Sequence, residues 1–278
     1  MSHKTSLIVR LILMIILFLL VLMLAVQVIG KGWSFLSFSG SGKLVCSEHY
    51  EGVTSIEADT ASCAVEVVEH KGSDVIAEFY RLGFGSVKEP TMELRDGMLS
   101  VQETETPLGI HFGSGKVILR VPEGSALPYR LHTTSGSVRL GAASAEAVLQ
   151  TVSGSIKVYQ GGDSLTAETT SGSVKVYEPF DLLDIKTTSG SIKAVAAGGT
   201  TDVRMESVSG SVKLKLDGVS GYTMDYSTDS GSVKNEYPAM EYNYGAYHKH
   251  GTAVWSDGSL SIWAETTSGS IKLTDWND

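Results

Sequence analysis

Thr151-Val152-Ser153-Gly154-Ser155-Ile156-Lys157-Val158 is answered 18 positions later by Thr169-Thr170-Ser171-Gly172-Ser173-Val174-Lys175-Val176. Variants of the phrase begin at Thr133, Thr187, Ser207, Thr228 and Thr266. The central glycines of the seven copies are Gly136, Gly154, Gly172, Gly190, Gly210, Gly231 and Gly269, so the steps are 18, 18, 18, 20, 21 and 38. A period near twenty residues, built of strand-like runs and turn residues, marks a solenoid.

Positions counted from the glycine show what each repeat is. Five and seven places upstream the residues are apolar, as in Leu149 and Ala147 or Ile185 and Leu183. Two places downstream the residue is always Val or Ile. Alternation on both sides of the glycine predicts two short strands, each with one buried face. The Ser-Gly-Ser between them supplies the turn, where glycine is expected for its freedom at positive φ. Extra length in the 20- and 21-residue steps falls in one connection, Val195–Asp202 and Lys215–Thr223, and leaves the strand-turn-strand unit intact. The prediction is an all-β, right-handed β-solenoid, β-helix-like, of stacked ~18-residue rungs, about a dozen in all, preceded by one transmembrane helix.

Three regions are expected. Residues 1–30 read as an N-terminal transmembrane anchor, because Leu11–Ile29 holds only Gln27 as a polar residue and is long enough to span a bilayer. Lys4 and Arg10 precede it, which predicts a cytoplasmic N-terminus and an extracytoplasmic C-terminal domain in a single-pass protein of the cell membrane. A cleaved signal peptide is the rival reading. Residues 31–43 read as a Ser/Gly-rich spacer, and 44–278 as the solenoid domain. Within that domain, 44–128 are irregular opening coils and 129–278 regular repeats. The long insertion 236–261 is either one excursion or a degenerate rung around Thr252–Trp255. Cys46 and Cys63, 17 residues apart, are either a disulfide or two small thiols.

The tandem Thr-Thr/Val-Ser-Gly-Ser-Ile/Val-Lys phrases, preceded by a strand ending at Val121-Pro122 and closed by a final copy near the C-terminus, resemble a bacterial adhesin-like family with β-strand repeats, a domain of unknown function. The resemblance covers most of Gly52–Leu273. It implies a single-sheeted, β-helix-like solenoid, often behind one membrane span, with some relatives tied to cell-envelope stress responses in Gram-positive bacteria. It supplies no catalytic residues.

Catalytic signatures are otherwise sparse. Glu168, Glu206 and Glu265 share one register, but His132, Gln150 and Lys186 interleave with them, which reads as a mixed-charge solvent face. His248-x-His250, with His111 and His132 distant in sequence, lacks a third ligand at suitable spacing, so no metal is expected. P-loop, Ser-His-Asp and dinucleotide fingerprints are missing, and no cofactor is expected. The Thr133, Thr151, Thr169, Thr187 and Thr266 column is expected to bond along the ladder or to the turn backbone.

The strongest surface feature lies three places after each glycine: Arg139, Lys157, Lys175, Lys193, Lys213, Lys234 and Lys272. The chain as a whole is acidic, 31 Asp and Glu against 22 Lys and Arg. Such a stripe is either a contact line for an anionic envelope polymer, lipid headgroup or envelope protein, or a solubility device that blocks strand pairing. A second candidate recognition element is the aromatic segment with Tyr242, Tyr244, Tyr247, His248, His250 and Trp255. The composition points away from nucleic acid. The function expected is non-catalytic binding or sensing at the cell envelope by a membrane-anchored solenoid. The alternatives are a structural protein that self-associates end to end and, third, a carbohydrate-active enzyme.

Overall fold

The computed structural model describes residues 42–82, 88–103, 114–244 and 249–274, and Gly42–Asp278 cluster as one compact unit. The expected membrane helix lies outside the described residues. Among the described residues no helix is long and apolar enough to cross a membrane. The opening strands are β1 (Lys43–Tyr50), β2 (Ser55–Thr60), β3 (Ala64–His70), β4 (Val75–Leu82), β5 (Thr91–Arg95), β6 (Met98–Gln102) and β7 (Ser114–Pro122). Repeats then supply β8 (Tyr129–Thr133) with β9 (Val138–Gly141), β10 (Ser144–Thr151) with β11 (Ile156–Val158), and β12 (Gly162–Thr169) with β13 (Val174–Val176). They continue as β14 (Phe180–Thr187) with β15 (Ile192–Ala197), β16 (Asp202–Ser209) with β17 (Val212–Asp217), and β18 (Tyr222–Thr228) with β19 (Val233–Asn235). After β20 (Met240–Tyr244) and β21 (Lys249–Trp255) comes the last repeat, β22 (Leu260–Ser268) with β23 (Ile271–Leu273).

Each repeat does form two strands, and they enter two different sheets, which corrects the single-sheeted solenoid. The 11-stranded sheet, called sheet A below, runs β1-β4-β7-β3-β9-β11-β13-β15-β17-β23-β19. The 12-stranded sheet B runs β20-β21-β18-β22-β16-β14-β12-β10-β8-β2-β6-β5. Among the described residues these orders give nine rungs, each with one strand per sheet, against the dozen or so expected. All seven repeats stack in parallel and in register, so Ile156 pairs with Val138 on one side and Val174 on the other.

Rung order departs from chain order at both ends. The last repeat, β22–β23, is inserted between β16–β17 and β18–β19. The 21-residue step therefore carries the chain across two rung heights, which accounts for its length. In the mirror arrangement, β2–β3 sits between β6–β7 and β8–β9. The insertion is no hidden rung: β20 and β21 form an antiparallel hairpin that covers the outer side of β18. Strand β4 caps β7 the same way, with β1 beyond it, and β5 caps β6.

The core is a narrow seam between the sheets. The β10–β11 rung contributes Ala147, Leu149, Ile156 and Val158, and the next contributes Leu165, Ala167, Val174 and Val176, all at most 1% exposed. An alanine recurs at a shifting position (Ala147, Ala167, Ala194, Ala264), which offsets the bulkier neighbours of its rung and keeps interior density even. One face of each strand is thus sealed, and a slip of one residue would expose it.

The corner between the strands has a different basis from the one expected. None of the seven repeat glycines has positive φ. A Cβ built on Gly154 would lie 1.8 Å from the carbonyl oxygen of Gly136, and one on Gly172 would lie 1.8 Å from that of Gly154. Glycine is required because stacked turns touch backbone to backbone. The buried threonine before it closes the corner. Thr151 Oγ1 accepts from Gly154 N–H at 3.0 Å and donates to Gly136 C=O at 2.9 Å. Thr169, Thr187, Ser207, Thr266 and Thr228 donate to the neighbouring rung's glycine carbonyl in the same way, at 3.0–3.2 Å. These hydroxyls, at most 5% exposed, are structural, as expected.

Thr151→Val should lower stability by about 1–3 kcal/mol, since it leaves a buried donor and acceptor unpaired while preserving shape. Gly154→Ala should cost more, because backbone atoms must move apart. Urea midpoints of the two variants check this; a Gly154→Ala protein as stable as wild type would overturn the close-stacking account.

Candidate functional site

Strands β9, β11, β13, β15, β17, β23 and β19 each turn an aliphatic residue inward and, one place on, a basic residue outward. Parallel pairing then sets the basic residues side by side: Arg139 beside Lys157, Lys157 beside Lys175, Lys175 beside Lys193, Lys193 beside Lys213. The rung inserted at the end makes the order Lys213, Lys272, Lys234. The structure brings all seven sequence-identified cations into one column on the outer face of sheet A, with strand spacings of about 4.8 Å between neighbours. Lys157, Lys175, Lys193, Lys213 and Lys272 are half-buried, so their stems lie along the sheet, while Arg139 and Lys234 are exposed.

Features outside the phrase complete this face. The serines one place after each glycine, from Ser137 to Ser270, flank the column on one side. On the other side Tyr159 and Tyr177 stack with centroids 5.0 Å apart and planes at 7°, and the Arg139 guanidinium lies 5.6 Å from the Tyr159 centroid. Glu66 occupies the column position next to Arg139 and ion-pairs with it at 3.4 Å and with Lys116. At the opposite end Lys234 ion-pairs with Glu236. The hydrogen bonds from Lys234 and Thr274 hold the Glu236 carboxyl below its usual range.

Glu66 belongs to a copy of the phrase that sequence reasoning missed. Thr60-Ala61-Ser62-Cys63-Ala64-Val65-Glu66-Val67 follows the pattern with Cys for Gly and Glu for Lys. Thr60 Oγ1 donates to Cys63 C=O, and so does Thr133 Oγ1 from the next rung. Glu103 closes this turn, accepting from the N–H groups of Ala61, Ser62 and Cys63 at 2.8, 2.8 and 3.2 Å.

The outer face of sheet B is mixed in charge, as expected. His132 pairs with Asp59 at 2.7 Å, Arg130 with Glu146 at 3.5 Å, and Arg204 lies 4.2 Å from the Trp263 centroid. Glu206 and Glu265 come side by side on this open face. Near its β5 end a shallow pocket of about 420 Å³ is lined by Thr91, Glu93, Arg95, Met98, Ser100 and Gln102, which sequence reasoning did not single out. Among the described residues no group of three or more His, Cys, Asp or Glu is placed to hold a metal ion.

The aromatic segment is brought together only in part. Tyr242 and Tyr244 pair along the backbone with Thr252 and His250. Tyr247 and His248 lie outside the described residues. Trp255 packs on the core, its ring 6.0 Å from that of Tyr222, and so serves the cap.

Cys46 and Cys63 are both free. Strands β7 and β4 lie between β1 and β3, three spacings or about 14 Å, whereas a disulfide needs Cα atoms within about 7 Å. Burial, followed by the Glu103 carboxylate, pushes the Cys63 thiol up to about 12, and burial also raises Cys46. Reactive cysteines are shifted the other way. At pH 8 the folded protein should leave Cys63 unmodified by iodoacetamide for hours and label both thiols once unfolded, as read by intact mass; rapid native labelling of Cys63 would overturn its burial.

Residues 149–274 match the model of the family described as Toastrack DUF4097, so this part of the chain is a toastrack-like β domain. No curated protein matches the chain. Among solved structures, the chain is similar to a candidate cell adhesion protein from Clostridium sporogenes at 11% identity, covering 83% of this chain and 99% of that one, with a TM-score of 0.37. A candidate adhesin from Bacteroides fragilis is 12% identical over 84% of this chain and 98% of its own, with a TM-score of 0.34. One from Parabacteroides distasonis is 10% identical over the same shares, with a TM-score of 0.30.

Proposed function

We propose that this chain is a non-catalytic, membrane-anchored protein whose toastrack-like solenoid lies outside the cytoplasm and binds anionic material of the cell envelope through the column Arg139–Lys234. The rungs wind right-handed in this reading, the hand that parallel crossover connections adopt. Its function is adhesion to the envelope or sensing of envelope stress.

The observation that carries it is where the cations sit. Lysine protects a sheet from edge-to-edge pairing when it lies on an edge strand. Of the seven, only Lys234 does, on the three-residue β19; the other six lie on strands paired on both sides. Edge protection therefore does not account for Arg139 through Lys272. Contact with an anion does. Two further features weigh against the alternatives. Three of the four edge strands are blunted against end-to-end association, β19 by its length and Lys234, β5 by Glu93 and Arg95, β1 by a bulge between Leu44 and Cys46. Glu206 and Glu265 lie next to each other on a flat face, whereas glycoside hydrolysis places its two carboxylates on either side of the scissile bond.

The whole protein, held in zwitterionic nanodiscs, should bind anionic polymer or anionic vesicles at low salt and release them as salt approaches 0.15 M, where screening shortens to about 8 Å. Changing Lys157, Lys175, Lys193 and Lys213 to Gln should remove that binding with the melting temperature unchanged or raised. Binding absent at low salt, or intact in the quadruple variant, would sink the reading. Topology has its own check: protease added to intact protoplasts should degrade the domain, and full protection would contradict an extracytoplasmic solenoid.

A further inference from the structure

We infer that the anionic ligand is a linear polyanion lying along the solenoid axis, and that Glu66 and Glu236 mark the two ends of its footprint. The inference rests on the binding role proposed above and narrows it to one ligand class. Its first support is the shape of the charge. The cations stand in single file over seven rungs, six spacings or about 29 Å, in a column one residue wide. The neighbouring columns are neutral over most of that length, serine on one side and Tyr159, Tyr177 and Val195 on the other, with Lys215 adding one more cation. A lipid surface presents charge in two dimensions and is met best by a broad basic patch with apolar side chains that enter the bilayer. A line of charge is met by a line of charge.

The ends are the second support. Between Arg139 and Lys234 neither the column nor its two flanks holds a carboxylate until Glu236. At the first rung beyond Arg139 the column changes sign to Glu66, whose side chain is 14% exposed and held by Arg139 and Lys116. Past Glu66 the column position is Ile118. At the other end Glu236 pairs with Lys234 and also lies in the field of Lys272. Both terminal cations are thus compensated by the protein itself, and a polyanion extended past either end would meet a carboxylate. Hydroxyls of the flanking serines and tyrosines border the remaining tract, a setting suited to a sugar or phosphodiester backbone bearing one carboxylate or phosphate per unit.

The test uses the full chain in zwitterionic nanodiscs with three probes: polygalacturonate, long-chain polyphosphate and phosphatidylglycerol vesicles. Affinity for galacturonate or phosphate oligomers should climb with length and level off once the oligomer spans the column; which of the two binds identifies carboxylate or phosphate as the recognised group. Glu66→Gln together with Glu236→Gln should raise polymer affinity roughly fivefold at low salt and steepen the salt dependence by about one to two ions, as each freed cation takes a counterion from the ligand. Glu236→Gln alone, at an exposed position, should give about half of this and guards against a folding defect from Glu66→Gln. Polymer binding lost in the quadruple lysine variant yet unchanged by both glutamate changes would overturn the end-marker inference and leave the binding role standing. Vesicles bound more tightly than either polymer would overturn the linear ligand. No binding to any probe would overturn both.

Discussion

A threonine hydroxyl that accepts a hydrogen bond from its own turn and donates one to the glycine carbonyl of the adjoining turn is the contact on which the rest of the structure depends. It joins Thr151 to Gly154 and Gly136, and it repeats at rung after rung. The bond satisfies the two backbone groups that the corner would otherwise bury unpaired. It also demands that the turns lie within van der Waals contact, which only a residue without Cβ allows. With the corners locked at that height, the strands on both sides have no freedom of register. Ile156 must meet Val174, and Lys157 must meet Lys175. The cationic column is therefore a consequence of the corner as much as of the lysines.

The run of corner contacts is closed off at both ends. At Cys63 the glycine is replaced, its side chain lies against Gly115 of the next rung, and Glu103 takes over three N–H groups. At the opposite end Tyr222, Asn235 and Tyr237 bond to one another around β19. The exchange of rung order at both ends adds a second safeguard. The last repeat has a neighbour on each side, so β22–β23 cannot fray as a terminal rung would. That arrangement raises the sequence separation of the contacts and should slow folding, since β16 must wait for β22 across an intervening repeat and hairpin.

How far the sequence was legible follows from the range of each interaction. Alternation of Leu149, Ile156 and Val158 with polar neighbours is local, and the two strands per repeat and their buried faces are visible from it. The cation column follows once the rungs are known to be in register. Rung order is not visible, because every copy presents nearly the same two faces, and β22–β23 fits on β16–β17 as well as β18–β19 would. The glycines sit in the expected turn for a different reason: their constraint comes from the backbone of the adjoining rung, between 18 and 73 residues away in the chain, and not from their own φ. The eighth copy at Thr60 escaped because both of its diagnostic residues are changed, Gly to Cys63 and Lys to Glu66. Tyr159 and Tyr177 were invisible as a pair for a simpler reason, as they lie outside the phrase.

The column poses a question of cost that the fold makes sharper. Like charges stacked at about 4.8 Å repel, and nothing in the corner chemistry requires a cation three places after the glycine. Threonine or asparagine there would keep the sheet soluble and remove the repulsion. Sheet B shows that this chain can build a polar face from pairs of opposite sign, as with Arg130 and Glu146. On sheet A the column carries Glu66 beyond one end and Glu236 beside the other, while Arg139 to Lys234 is basic at every rung. Repulsion of that kind is relieved when an external anion lies along the column, and released counterions add to the gain. A face that is least comfortable alone is the one with most to gain from a ligand. The same seven positions that weaken the solenoid in isolation are therefore the ones through which binding would stabilise it.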